Sequence, residues 1–181
     1  MRRIILTGAP GAGKTVLLRA LEAAGHAVVE EAATDVIALA HARGDTEPHL
    51  RPEFIDEILT LQIARQRRAE AASASVVFFD RSPICTWALA DHLGYAPPSG
   101  LDAEVARIVE HGVYERRVIF VETLGFIRNT EARRISYEDT LRFEAVHEAA
   151  YARFGYEIAR IPPGPVDARV EAVLAAVREG P

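Results

Sequence analysis

The chain has 181 residues, 49% of them hydrophobic, a single cysteine and a formal net charge of −5. That length and apolar content suffice for one domain with a real core and exclude extensive disorder, and the acidic balance excludes broad, non-specific nucleic-acid binding. One cysteine, Cys85, excludes an intrachain disulfide and fits a reducing cytoplasm.

In chain order, Arg3–Thr7 is a short apolar run suited to a buried parallel strand. The apolar stretch after Arg2-Arg3 ends at Gly8, too short for a signal peptide or a membrane span, so no membrane association is expected. Gly8-Ala9-Pro10-Gly11-Ala12-Gly13-Lys14-Thr15 fits the phosphate-binding loop pattern G-x-x-x-x-G-K-[ST], and Val16 onward has helical character. Lys14 is the only lysine; the other 20 basic residues are arginine. A compact ammonium on a flexible stem differs from a broad planar fork, and it sits where a point charge must meet a polyphosphate. A dinucleotide-binding turn does not fit, because Val16 stands where a third glycine or alanine belongs.

Gly25–Glu30 reads as a turn and second strand, and Glu31–His41 as a helix with Val36, Ile37 and Leu39 as its apolar positions. Gly44–Pro48 is a break. Pro52 opens a long helix whose end, Arg65-Gln66-Arg67-Arg68, is polar. Ser75–Asp80 is a third strand, favoured over a buried helix by its length and its β-branched and aromatic content. Ser82-Pro83 reads as an N-cap and first helical residue, with Gly94 as the stop. Ser99-Gly100-Leu101-Asp102 resembles a capping box for a helix to His111. A fourth strand at Val118–Glu122 leads into an arginine-bearing loop over 123–135, then a helix through Tyr151. Tyr156–Ile161 is a fifth strand, and 166–178 a final helix.

Strands alternating with helices predict an α/β three-layer fold with a mainly parallel sheet, treated as one domain over 1–181 with a short lid at 123–135. Ligands in such folds gather at the C-terminal ends of the strands. Those ends carry the phosphate loop, then Glu30-Glu31, Asp80-Arg81, and Glu122 before the arginine loop. The loop from Gly8 to Val16 is expected to bind nucleotide: glycines let successive N–H groups turn toward anionic oxygens, and the helix start adds its positive end. Lys14 would reach the β- and γ-phosphates, and the Thr15 hydroxyl would hold Mg²⁺. Asp80 closes an apolar strand as a Walker B-type acid does, a second candidate for Mg²⁺ or for orienting an acceptor hydroxyl; the alternative is a helix cap. Arg81 is placed on a phosphate or the acceptor, or in a structural ion pair. Glu31 is a candidate proton acceptor, with Glu30 pointing the other way; Asp35, one turn on, shares its face or is a surface residue. Arg128, Arg133 and Arg134 are candidates to neutralise transition-state charge. Gln62 and Trp87 are placed on an acceptor pocket or, in the plainer reading, on a helix face. The six histidines show no metal-ligand spacing.

The phosphate loop, Val28-Val29-Glu30-Glu31-Ala32, Asp80-Arg81-Ser82, the loop arginines and Tyr151–Ile158 together resemble the small P-loop kinases. The nearest likeness is to the bacterial AAA-type ATPase/kinase-like domains that include the nicotinamide riboside kinase domain of NAD-biosynthesis regulators; deoxynucleoside kinases are more distant. The resemblance implies a P-loop NTPase sandwich, sheet order 2-3-1-4-5, and ATP with Mg²⁺. It matches Glu31 to the base after strand two and Asp80-Arg81-Ser82 to a "D/E-R-S" motif, without settling which loop arginine acts. At 181 residues the chain is expected to lack the adenylyltransferase and DNA-binding parts of the larger regulators and the helical domain of a ring-forming AAA+ machine.

The expected function is therefore transfer of the γ-phosphate of Mg-ATP to a small hydroxylated acceptor, nucleoside-like, with Glu31 or Asp80 as base. The alternatives are a regulatory ATPase that acts through a protein partner and a polynucleotide end kinase, which would need a basic, aromatic-lined groove. The sequence leaves a homodimer open.

Overall fold

The computed structural model describes residues 1–71, 73–123 and 137–179. Five strands form one sheet: β1 (Arg2–Thr7), β2 (Ala27–Val29), β3 (Val76–Asp80), β4 (Arg117–Val121) and β5 (Glu157–Ile161). Their order is β2-β3-β1-β4-β5 and every neighbouring pair is parallel, as the sequence leads one to expect. Among the described residues the helices are α1 (Lys14–Ala23), α2 (Ala32–Ala42), α3 (Glu53–Glu70), α4 (Pro83–His92), α5 (Ser99–Glu110), α6 (Tyr137–Arg153) and α7 (Val166–Arg178), with a 3₁₀ turn at Pro48–Leu50. None of these helices is long and apolar enough to cross a membrane.

The central strand sorts its side chains by alternation. Ile4 and Leu6 join Leu17, Leu18 and Leu21 of α1 and Val173 and Val177 of α7 in one core. Ile5 faces the other way, into a core with Phe54 and Ile58 of α3, Ile84 and Ala88 of α4, Leu101 and Val105 of α5 and Tyr151 of α6. Strands buried on both faces read as continuous apolar runs, which is why β1, β3 and β4 are plain in the sequence.

Several local expectations are corrected. The buried stripe of α2 is Ala32, Val36 and Ala40, at i, i+4 and i+8, and Leu39 is exposed. Gln66 is not part of a polar helix end: it is buried, and its Nε2 donates to the Tyr114 hydroxyl at 3.1 Å while its Oε1 accepts from Arg107. Ser99 is the first residue of α5 rather than its cap; Pro98 holds the cap position and Asp102 accepts from Trp87 Nε1 at 3.0 Å. Proline lacks an N–H and its fixed φ suits a helix start, so it can stand at this boundary without a side-chain cap. The proposed lid falls, apart from Thr123, outside the described residues, as do Arg128, Arg133 and Arg134.

Candidate functional site

The loop between β1 and α1 begins with Gly8 at φ 126°. A Cβ there would stand 2.3 Å from the Val121 carbonyl oxygen at the end of β4, so the loop leaves the sheet in close contact with its neighbouring strand. Gly13, at φ 86° in the left-handed region, precedes α1 without a side-chain cap. Lys14 is buried and its Nζ donates to the carbonyls of Gly8 at 2.9 Å and Ala9 at 2.8 Å. Thr15 and Val16 face outward on the first turn of α1.

A buried arginine from the far end of the chain holds this loop. Arg169 of α7 donates through Nη1 to the Ala12 carbonyl at 2.9 Å and through Nη2 to the Glu122 carbonyl at 3.2 Å. Sequence reasoning missed it, although the signal was there: position 169 lies on the buried face of α7 with Val173 and Val177.

Asp80 ends β3 in register with Leu6, two residues before Gly8, so its buried carboxylate stands beside the loop. Arg81 then turns sharply. Its φ of 73° is the one positive value at a non-glycine residue among the described residues, a conformation that costs on the order of 1–3 kcal/mol. Its N–H donates to the Leu6 carbonyl at 2.9 Å, and its buried side chain swings toward β2. There Nε donates to Glu31 Oε1 at 2.6 Å. Glu31 occupies the N-cap position of α2 but its carboxylate is used elsewhere: Oε2 accepts from Thr34 Oγ1 at 2.7 Å. Ser82 likewise holds the N-cap position of α4 while its hydroxyl meets Tyr151 Oη at 2.9 Å.

The structure separates the neighbouring acids from this pair. Glu30 pairs with Arg19 and Asp35 with Arg65, both in exposed settings. The expected contrast between Glu31 and Glu30 therefore holds, and Asp35 is the surface residue of the two readings. Glu31, Arg81, Gln62, Thr86, Ile58 and Phe143 line a small cavity of about 30 Å³. Gln62 is thus on the pocket, with Oε1 accepting from Thr86 Oγ1 at 2.9 Å. Trp87 is not among its walls; it stacks under Arg153, 4.8 Å from the ring centroid, and against Phe154.

Helix α6 meets Arg81 with two residues one turn apart, of which Phe143 also lines the pocket. Phe143 lies 5.9 Å from the Arg81 guanidinium carbon, and His147 Nε2 lies 3.0 Å from Arg81 Nη1. Burial works against the charge on Arg81, but the negative groups around it, Glu31 foremost, outweigh that and raise its pKa further. Burial, followed by the Arg81 charge, holds His147 well below the ordinary histidine range. Burial and then the neighbouring Cys85 push the Tyr151 hydroxyl well above its usual value.

Among the described residues no group of three or more His, Cys, Asp or Glu side chains could hold a metal. Thr15 and Asp80 offer one hydroxyl and one carboxylate. That donor set fits Mg²⁺ brought in with a polyphosphate, since Mg²⁺ takes few protein ligands and keeps water and phosphate oxygens; it does not fit a resident all-protein metal site.

No curated protein matches the chain in sequence. Solved structures do share its fold. The NadR protein in complex with NR superposes with a TM-score of 0.71 at 18% identity, over 99% of this chain and 50% of that one. NadR in complex with NAD and AMP-PNP gives 0.68 at 16%, over 98% and 49%, so this chain spans about half the length of NadR. Deoxyadenosine kinase from M. mycoides, with dCMP and a flexible dCDP bound, gives 0.60 at 14%, over 97% and 98%. At these identities the likeness is one of fold. A family model described as an AAA domain matches residues 3–169, nearly the whole chain, and the chain belongs to that AAA domain family.

Proposed function

We propose that this chain is a P-loop phosphotransferase that moves the γ-phosphate of Mg-ATP to a small hydroxylated acceptor of nucleoside type. The observation that carries the reading is the buried Glu31–Arg81 pair, 2.6 Å apart, on a cavity at the strand-end edge that also bears the phosphate loop. A loop alone would bind a phosphate; an acid and a guanidinium on the same edge give the hydroxyl of a second substrate a partner and its proton a destination. Neighbours of the same fold were solved with NR, with AMP-PNP and with dCMP, ligands of the two kinds this reading requires.

In this reading residues 1–181 work as one unit with 123–135 as its lid. Loop N–H groups from Gly8 to Val16 and the Lys14 ammonium take the phosphates, with Lys14 exchanging its bonds to the Gly8 and Ala9 carbonyls for phosphate oxygens. Thr15 and Asp80 would hold Mg²⁺, which when bound neutralises phosphate charge. Glu31 accepts the proton of the acceptor hydroxyl, Arg81 orients that carboxylate and the hydroxyl, and Arg128, Arg133 and Arg134 supply positive charge to the transferring group.

The test is incubation of the purified chain with Mg-ATP and a panel of nucleosides, with phosphorylated products read by mass spectrometry. Lys14→Ala is expected to abolish turnover, and Glu31→Gln to slow transfer by about 10²–10⁴-fold while nucleotide binding persists. Brisk ATP hydrolysis with no phosphorylated acceptor would replace this reading by a regulatory ATPase. Near-wild-type activity in Lys14→Ala would remove the site assignment itself.

A further inference from the structure

His147 is fully buried in α6 between two groups of fixed chemistry. Its Nδ1 lies 2.8 Å from the Phe143 carbonyl oxygen, which can only accept. Its Nε2 lies 3.0 Å from Arg81 Nη1, which can only donate. One state of the ring satisfies both: a neutral imidazole with its proton on Nδ1 and a lone pair on Nε2. A protonated ring would turn an N–H toward an N–H and set two cations in contact inside the core. The carbonyl one turn back on α6 thus selects the tautomer, as a hydrogen bond to one ring nitrogen fixes the state of the other.

That lone pair meets a side chain with unusual constraints. Arg81 leaves the end of β3 in a left-handed conformation, with its Nε committed to Glu31 and Phe143 against its guanidinium. Without an acceptor at Nη1, the guanidinium could rotate about its terminal bonds and keep only one of its contacts. Resting on the acceptor-end role proposed above for Glu31 and Arg81, we infer that His147 is a positioning residue, a proton-free acceptor on α6 that locks the Arg81 guanidinium in the plane that faces Glu31 and the cavity. The charged groups acting on His147 come from three other elements: Arg81 after β3, Lys14 of α1 and Glu31 before α2; His92 of α4 also faces it.

Two substitutions separate this role from simple packing. The amide oxygen of glutamine reaches about as far as Nε2, whereas that of asparagine reaches only to Nδ1. The full-length chain is compared as wild type, His147→Gln and His147→Asn by ¹⁵N NMR at neutral pH, without substrate. The expected results are the Nδ1–H tautomer for His147 in the wild type and an Arg81 Nε–H that exchanges slowly with water. His147→Asn should speed that exchange by about tenfold or more, the scale of one lost acceptor to a charged donor, and His147→Gln should restore it to within about threefold. A protonated ring, an Nε2–H tautomer, or equal exchange in the two variants overturns the inference. In parallel, the best nucleoside found in the panel is used for kinetics. His147→Asn should raise the KM for that nucleoside, lower kcat, or both, while the KM for ATP stays within about twofold of wild type; a matching rise in the ATP KM would also overturn it. If wild-type protein phosphorylates no nucleoside, the acceptor reading fails, and the tautomer and exchange results still decide whether His147 positions Arg81.

Discussion

Gly8→Ala tests the contact on which the phosphate end is built. Two separate costs apply at this position. The backbone stands at φ 126°, where a side chain is strained by on the order of 1–3 kcal/mol. The added Cβ would also lie 2.3 Å from the Val121 carbonyl oxygen, a backbone atom that cannot rotate away. Relieving it needs a shift of about 1 Å between the loop and β4, an overpacking cost of about 1–3 kcal/mol. Gly25→Ala isolates the first cost, since Gly25 has φ 90° and nothing within 4 Å of its would-be Cβ. At about 2–4 °C per kcal/mol for a chain of this size, Gly8→Ala should lower Tm by roughly 8–16 °C for a total near 4 kcal/mol. Gly25→Ala, with the strain alone at about 2 kcal/mol, should lower it by roughly 4–8 °C. Calorimetric melts of both variants in one buffer, with Mg-ATP binding followed by titration calorimetry, decide the matter. If Gly8→Ala melts within about 2 °C of Gly25→Ala, the close approach of loop and strand is wrong, whatever happens to activity.

Arg169→Met should lower stability by about 2–4 kcal/mol, because it leaves the Ala12 and Glu122 carbonyls without their donor, and should weaken Mg-ATP binding through Ala12. Arg169→Lys should not restore it, since one ammonium lacks the planar fork that meets both carbonyls; equal melting of Arg169→Lys and wild type would refute the clamp. The buried His147 makes a separate prediction for pH. Its folded pKa is depressed, so the unfolded chain takes up a proton first as pH falls below about 6.5. The stability tied to its neutral state is present above that pH and lost below it at about 1.4 kcal/mol per pH unit. Denaturant midpoints at pH ~7.5 and ~5.5 should fall more for wild type than for His147→Gln. His92, also depressed by burial, adds a smaller loss common to both. Identical slopes would show that His147 titrates like an exposed histidine.

What was legible in the sequence was what local pattern determines. The buried parallel strands announced themselves as apolar runs, and the helix at Val166–Arg178 matched its expected bounds, because a stripe of valines fixes both its face and its length. The turn between β1 and α1 was legible for the same reason: Gly8, Gly11 and Gly13 all take the positive φ that glycine allows. Arg81 was visible as part of a motif, but its left-handed φ was not, since that conformation is imposed by the bond to Leu6 and the pull of Glu31. His147 and Tyr151 looked like ordinary polar and aromatic positions of a helix. Their roles depend on Arg81, Ser82 and Cys85, more than sixty residues away. Leu39 misled because an apolar residue can sit on the solvent side of a helix whose buried stripe is mostly alanine.

The two halves of the site lean on different layers of the molecule. Lys14, Ala12 and Arg169 belong to the α1–α7 side, with a core of Leu17, Leu18, Leu21, Val173 and Val177. Cys85 and Tyr151, beside the proposed acceptor end, belong to the core on the opposite face of the sheet, with Ile58 and Ile84. The sheet runs between them: β1 and β3 pair in register from Arg2↔Val76 to Leu6↔Asp80, and the Arg81 amide extends that ladder by one bond to Leu6. The spacing between the two ends is thus set by backbone hydrogen bonds that neither Arg169 nor His147 makes. Losses in one layer should then not propagate to the other. Combined in one chain, Arg169→Met and His147→Asn should destabilise additively, within about 0.3–0.5 kcal/mol. In the nucleoside assay the first should move the KM for ATP and the second the KM for the acceptor, each as it does alone. A coupling above about 1 kcal/mol would mean that the sheet transmits strain between its faces, and that the phosphate and acceptor ends are one mechanical unit.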